Sequence, residues 1–236
     1  MTHGPTRFCR GALSGFFFLA YGLFALPFAL LLPLPLGPRR WGRAAVRLFY
    51  RLFVASARLT GLYRVMISEA DRAVLRACRG RIVVMNHVSL IDICVLLAHL
   101  PDAICIAKAA TKRNPFLSMV VRYLFIANDR GAEEMISEAR AALADGVNVV
   151  IFPQGTRGGE KIQRGAARLA LACQAEVLAV HIDYEPVVLA KGQPWWDVGD
   201  RVISIKLTTR GVLTALGEND HHTAVRLTER VAAAIT

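Results

Sequence analysis

Apolar and polar positions along this chain follow two periodicities, and a long front segment follows neither. From Gly11 to Pro38 no residue is charged and most are Leu, Phe or Ala, a run long enough to cross the hydrocarbon core of a bilayer. Pro27, Pro33 and Pro35 interrupt it, and arginines stand on both sides: Arg7 and Arg10 before it, Arg39, Arg40 and Arg43 after it. Basic flanks prefer the cytoplasmic side, so the pattern predicts a re-entrant or half-inserted hairpin ahead of a single crossing. A secretory signal would have a shorter apolar region and a small-residue cleavage site. After Gly42, Arg43, Arg47, Arg51 and Arg58 fall within about 80° of one another at helical spacing, while Leu48, Phe49, Leu52 and Phe53 supply an apolar face. This predicts an interfacial helix, the alternative being an ordinary helix packed on the domain with solvated arginines.

From Arg81 onward strand and helix signals alternate. Short apolar runs predict strands at 81–85, 103–107, 123–127, 147–151, 177–182 and 202–208. Longer segments predict helices at 90–99, 132–144, 164–173 and 221–234. The second of these ends at Gly146, a natural C-cap. The expected fold is α/β, a largely parallel sheet flanked by helices. It is divided into a membrane-associated helical segment, residues 1–64, and an α/β domain, residues 65–236, the one expected to carry any chemistry.

Charge sharpens the division. The 236 residues carry a net charge of +11, and nine arginines with no acid precede Glu69, which leaves only +2 for the rest. A basic protein raises nucleic-acid binding first. Here the basic residues are interleaved with hydrocarbon-length apolar sequence, which points to an anionic membrane surface. The five cysteines (Cys9, Cys78, Cys94, Cys105, Cys173) show no CxxC spacing and read as reduced core residues of a cytoplasmic compartment. No zinc site is expected; adjacent His221 and His222 lack Cys or acidic partners. With no GxGxxG or Walker loop, a nucleotide-hydrolysing enzyme is disfavoured.

Two motifs stand where predicted strands end, the position at which open α/β sheets bind ligands. Asn86-His87-Val88-Ser89-Leu90-Ile91-Asp92 follows the apolar run Ile82 to Met85, and Phe152-Pro153-Gln154-Gly155-Thr156-Arg157 follows Val147 to Ile151. A carboxylate holding one imidazole nitrogen leaves the other free to take a proton from a hydroxyl, and His87 preceding a helix can fold back toward Asp92. Ser89 adds the possibility of a covalent Ser-His-Asp triad, without a G-x-S-x-G elbow around it, and is expected instead to cap the helix.

The pairing of NHxxxxD with FPxGTR about 65 residues later resembles the glycerolipid acyltransferases of the 1-acylglycerol-3-phosphate O-acyltransferase type. Between them, Lys108, Asn114-Pro115-Phe116 and Phe125 to Arg130 are similar to that family's middle motif, and Lys161 to Gly165 to the basic segment after the third. The similarity runs from about Arg81 to Asp183. Two positions depart from the pattern. Gln154 replaces the glutamate of FPEGTR, and Val177-Leu178-Ala179-Val180 has Ala179 where the fourth motif has proline.

The resemblance implies a membrane enzyme on the cytoplasmic face, of a bacterial inner membrane. It would move an acyl group from acyl-CoA or acyl-carrier protein to a lysophospholipid by direct attack of the acceptor hydroxyl, without a cofactor. His87 is then the general base and Asp92 its orienter. Arg130, Arg157 and Lys108 are candidate phosphate ligands. Gly155 would let the backbone approach closely, Thr156 offers a hydroxyl and an amide, and Asn86 either donates to the oxyanion or shapes the turn. A neutral Gln154 is expected to hold Arg157 by a hydrogen bond and to influence the choice of acceptor. Alternative acceptors are a lyso-aminolipid of the ornithine-lipid type or a specialised polyene lipid, the latter because Lys191 to Asp197, with Trp195-Trp196, resembles a tail of acyltransferases from polyene-lipid gene clusters. The alternative of another class is a catalytically idle membrane-binding scaffold.

Overall fold

Ile82, Val83, Val84 and Met85 are all completely buried, and they alternate between two separate cores. Val83 and Met85 face one, Ile82 and Val84 the other. A strand covered on both faces has no solvent side, so its sequence reads as an unbroken apolar run. In the computed structural model, which describes residues 4–31, 39–107, 124–127, 131–215 and 219–236, this strand lies inside a seven-stranded sheet.

The strands are β1 (Tyr63–Met66), β2 (Ile82–Met85), β3 (Ala103–Ala107), β4 (Phe125–Ala127), β5 (Asn148–Ile151), β6 (Val177–Glu185) and β7 (Ile203–Leu213). Their order is β1-β7-β6-β2-β5-β3-β4. All neighbours pair parallel except β6 and β7. The register of that antiparallel pair shifts between Leu178 and Val180, and Gly211, at φ +94, supplies the left-handed conformation such a bulge needs. The helices are α1 (Gly4–Leu31), α2 (Arg39–Leu59), α3 (Glu69–Ala77), α4 (Asp92–His99), α5 (Ala132–Ala144), α6 (Gly165–Cys173) and α7 (His221–Ile235). α2 and α4 cover one face of the sheet; α5, α6 and α7 cover the other. Of these elements, β1 and α3 have no counterpart among the expected ones, and β1 spans residue 64, where the sequence divides the chain.

The apolar front segment does not turn back within its described residues. α1 is one helix of 28 residues that continues past Pro27, because the Leu, Phe and Ala on both sides sustain it. Thr6–Ala25 is long and apolar enough to cross a membrane by length and composition. α2 runs antiparallel to α1, with ring centroids 5.2 Å apart for Phe17 and Phe53 and 5.9 Å for Phe24 and Phe49. The N-terminal half of α1 is held to the domain. Arg7 pairs with Asp197 at 2.8 Å, Ser14 Oγ donates to the Trp195 carbonyl at 2.9 Å, and a Cβ on Gly11 would lie 2.9 Å from the Trp196 carbonyl oxygen.

Both helices keep a second apolar face outside. On α1, Phe8, Phe16, Leu19 and Leu23 are exposed; on α2, Trp41, Leu48, Leu52 and Leu59 are exposed. The apolar side expected of α2 is therefore split. Val46, Tyr50, Phe53 and Ala57 are buried against the domain, while Leu48 and Leu52 face out. Arg43 leaves the basic stripe to form a two-point ion pair with Asp102.

α3 is pinned to β7 by one carboxylate. Asp71 Oδ1 accepts from the Thr209 amide at 2.7 Å and the Thr209 hydroxyl at 2.6 Å, while Ser68 caps the helix by accepting from the Asp71 amide. Burial pushes the Asp71 carboxyl up, but the hydrogen bonds from Ser68 and Thr209 outweigh it and hold it below the usual carboxylate range. A depressed folded value contributes stability at neutral pH and loses it as pH falls through that value. Asp71→Ala is expected to cost about 1–2 kcal/mol near neutrality. In urea unfolding, the gap to wild type should narrow as pH is taken from about 6 to about 3; a gap independent of pH would show that packing, not the carboxylate, carries the effect.

Candidate active site

Neighbouring strands β2 and β5 send their following helices to opposite faces, α4 to one side and α6 to the other. A crevice opens wherever an α/β sheet switches in this way. The loops that diverge here carry the two motifs, and they touch. The ring of His87 stacks on Phe152 with centroids 4.4 Å apart. The Gly158 amide donates to the His87 carbonyl at 2.8 Å, and Gln154 Oε1 accepts from the His87 amide.

Asp92 is the centre of the arrangement. It is the first residue of α4 and has no exposure to solvent. Its Oδ2 accepts from the amides of Val88 at 2.7 Å and Ser89 at 2.9 Å, and lies 2.8 Å from His87 Nδ1. Its Oδ1 accepts from the Tyr184 hydroxyl at 2.7 Å. A group that accepts this many donors behaves as a carboxylate, so Nδ1 of His87 carries the proton and Nε2 holds the lone pair. The His87 side chain is 22% exposed, against 0% for Asp92. The pair can therefore accept a proton from a group in the crevice while its orienting carboxylate stays out of water.

The helix starts two residues later than its apolar pattern suggests, and Ser89 does not cap it. The N-cap is Ile91, without a side-chain hydrogen bond. Asp92, in the first turn where the helix dipole favours a negative charge, turns its carboxylate back onto the amides of the preceding loop and not onto those of the helix. Ser89 is fully buried, and no imidazole or carboxylate among the described residues accepts from its Oγ.

Asn86 is occupied by the sheet. Its Nδ2 donates to the Ile182 carbonyl at 2.8 Å and its Oδ1 accepts from the Ile182 amide at 2.7 Å, which fixes the turn out of β2 to strand β6. Arg157 is half-buried and donates through Nη1 to the Leu189 carbonyl at 2.8 Å. It is not held by Gln154, whose oxygen is engaged by His87. Gly155 is required by its φ of +67, not by a close neighbour, since nothing lies within 4 Å of a Cβ built there. Thr156 is half-exposed beside it, and its carbonyl accepts from the Gly159 amide at 3.2 Å. Lys108, Asn114-Pro115-Phe116 and Arg130 lie outside the described residues.

Two residues enter the site without having been expected there. Tyr184 reaches it from β6, at a position whose only sequence signal is the strand's alternation. Leu189 is held at φ +55, a conformation that costs a leucine about 1–2 kcal/mol. Its carbonyl receives both Arg157 and the Leu90 amide, the latter at 3.1 Å. An open, mostly apolar groove of about 660 Å³ lies farther along, between α1 and Pro194–Asp197; it contains neither His87 nor Asp92.

Only an acceptor oxygen is needed at position 154, and Glu supplies one as Gln does. Gln154→Glu is expected to preserve the hydrogen-exchange protection of the His87 amide, whereas Gln154→Leu should lose roughly tenfold, the order of one hydrogen bond. Equal protection in all three proteins would remove position 154 from the support of the site.

Residues 68–183 match the family model described as acyltransferase. The chain is 32% identical over 153 residues to the lyso-ornithine lipid O-acyltransferase of Rhizobium meliloti, covering 62% of this chain and 48% of that protein. It is 34% identical over 130 residues to the 1-acyl-sn-glycerol-3-phosphate acyltransferase of Helicobacter pylori, covering 50% and 52%. The chain thus spans about half the length of the curated relatives it matches. The crystal structure of the 1-acyl-sn-glycerophosphate acyltransferase of Thermotoga maritima superimposes with a TM-score of 0.67 at 23% identity, over 96% of this chain and 94% of that one, which shows a common fold. Residues 68–183, with the motif-bearing crevice inside that span, thus match the acyltransferase family.

Proposed function

We propose that this protein transfers a fatty acyl group from a thioester, acyl-CoA or acyl-carrier protein, to the free hydroxyl of a lysolipid. The observation that carries this reading is the buried Asp92 carboxylate bonded to Nδ1 of a partly exposed His87. Nε2 takes the proton of the acceptor hydroxyl as its oxygen attacks the thioester carbonyl. The tetrahedral intermediate then expels the thiolate, which recovers that proton from the imidazolium. Burial of Ser89 favours this direct attack over an acyl-enzyme. Arg157 uses one guanidinium nitrogen on Leu189 and keeps other donors for an anionic headgroup.

The acceptor in the leading reading is 1-acylglycerol-3-phosphate. A lyso-ornithine lipid is the second reading, favoured by the longer match to the Rhizobium meliloti enzyme and by a neutral residue at position 154. Membrane association rests on the exposed apolar stripes of α1 and α2, flanked by Arg47, Arg51 and Arg58. The stripes lie along two helices side by side, which suits insertion at the cytoplasmic interface.

With labelled acyl-CoA and labelled acyl-carrier protein, each tested against a panel of lysolipids, product mass identifies the acceptor; no acyl product from either donor with any lysolipid overturns the proposal. His87→Ala and Asp92→Asn should lower kcat by about 10²–10⁴-fold with the fold intact by circular dichroism. Ser89→Ala should keep most activity, and its loss would restore the covalent route. For the membrane contact, the double change Phe16→Asp with Leu19→Asp should sharply reduce sedimentation with anionic vesicles without loss of helix. Unchanged sedimentation would place the contact elsewhere.

A further inference from the structure

Asp92 presents its two oxygens to different parts of the chain. Oδ2 serves the loop, through Val88 and Ser89, and the imidazole. Oδ1 points away from His87, and its one partner among the described residues is the Tyr184 hydroxyl. Because Asp92 is wholly buried, water is not at hand to replace that donor. The strand that delivers it is itself registered to the site. Asn86, the residue before His87, is bonded in both directions to the backbone of Ile182. Tyr184 follows two residues on, and in a strand that spacing keeps the same face. The bonds that set the turn carrying His87 therefore also set the height of Tyr184 above Asp92.

We propose that Tyr184 is a positioning residue for the His87–Asp92 pair: by binding Oδ1 it fixes the plane of the carboxylate, so that Oδ2 meets Nδ1, and it draws part of the carboxylate charge toward itself. The inference rests on the reading of His87 as a general base. A carboxylate held at one oxygen only can turn about its Cβ–Cγ bond; held at both, it cannot. Burial first, and then the Asp92 charge, push the Tyr184 phenol well above its ordinary range, so the hydroxyl remains a donor throughout the working pH range. Tyr184 touches no reacting atom and reaches the imidazole through Asp92; the neighbouring Ser89 hydroxyl opposes the upward shift of its phenol.

Tyr184→Phe removes one hydroxyl and keeps the ring. It should lower kcat roughly tenfold, the order of one hydrogen bond, leave KM for both substrates within about twofold, and move the acidic limb of kcat against pH to higher pH. The direction follows from charge: without the phenol, more negative charge stays on the carboxylate and favours the imidazolium. Replacement of Tyr184 by 3-fluorotyrosine keeps the shape and makes the hydroxyl a stronger donor, so the limb should move the opposite way. A residue with a merely structural role would lower thermal stability and leave the limb in place for both variants. That result, or an unchanged kcat in Tyr184→Phe, overturns the proposal. NMR titration of the His87 ring in substrate-free protein reads the same two opposite shifts. If wild type acylates no lysolipid, the functional reading falls, while this titration still decides the role of Tyr184.

Discussion

A negative charge taken entirely out of water must be met by donors on every side, and Asp92 imposes that requirement on the chain around it. Leaving such a carboxylate partly unsatisfied costs several kcal/mol. The turn from Met85 to α4 is therefore arranged for Asp92. It brings two backbone amides onto one oxygen, the imidazole of His87 onto the same oxygen, and a phenol from the neighbouring strand onto the other. His87 is oriented as a consequence, since its place at Nδ1 is part of the satisfaction of a buried charge. The proposed function accords with a buried carboxylate and a partly open imidazole: orientation benefits from a low dielectric, whereas a general base needs access to its substrate.

The sheet decides what else reaches this point. Because the chain leaves β2 toward one face and β5 toward the other, the two loops share a crevice without obstructing it. Phe152 stacks on His87 and Gln154 accepts its amide. A third segment, between β6 and β7, closes the circle at Leu189, whose left-handed backbone turns its carbonyl toward both Arg157 and Leu90. Strain in a leucine persists only where its surroundings over-determine it, and here two donors do. The same segment continues to Trp195, where Ser14 of α1 is bonded. A continuous path of contacts thus joins the helix with an exposed apolar stripe to the arginine beside the histidine.

The parallel sheet was legible because its central strands have no polar face, and unbroken apolar runs such as Ile82 to Met85 survive any reading of periodicity. β1 was not, since four residues with Arg64 among them carry too little pattern and follow an arginine-rich helix directly. α3 had a readable signal: Ser68 with Asp71 three positions on is a helix-start pattern. His87 and Asp92 could be paired from their spacing and their place at a strand end. Tyr184 and Leu189 could not, because their contribution depends on strand register and on a backbone angle, and neither leaves a mark in the composition of a short segment. The continuity of α1 past Pro27 was hidden for the opposite reason. A local rule about proline was outweighed by the helical run on both sides.

Gln154 bonds the backbone of His87, not the Arg157 side chain expected from the motif. Read as a lost acid beside Arg157, it suggested a change in the electrostatics of the acceptor site. In the fold, the side chain at 154 turns toward the backbone of His87 and uses only one oxygen. Glutamate would place an oxygen of nearly the same geometry there, with a full charge in addition. The charge is dispensable for that bond, because the His87 amide requires an acceptor and not an anion. It would also lie against the turn that already holds the buried charge of Asp92, and like charges brought close together disfavour one another. A neutral amide avoids that competition. At the level of the loop, the exchange keeps the hydrogen bond that ties the two motifs together.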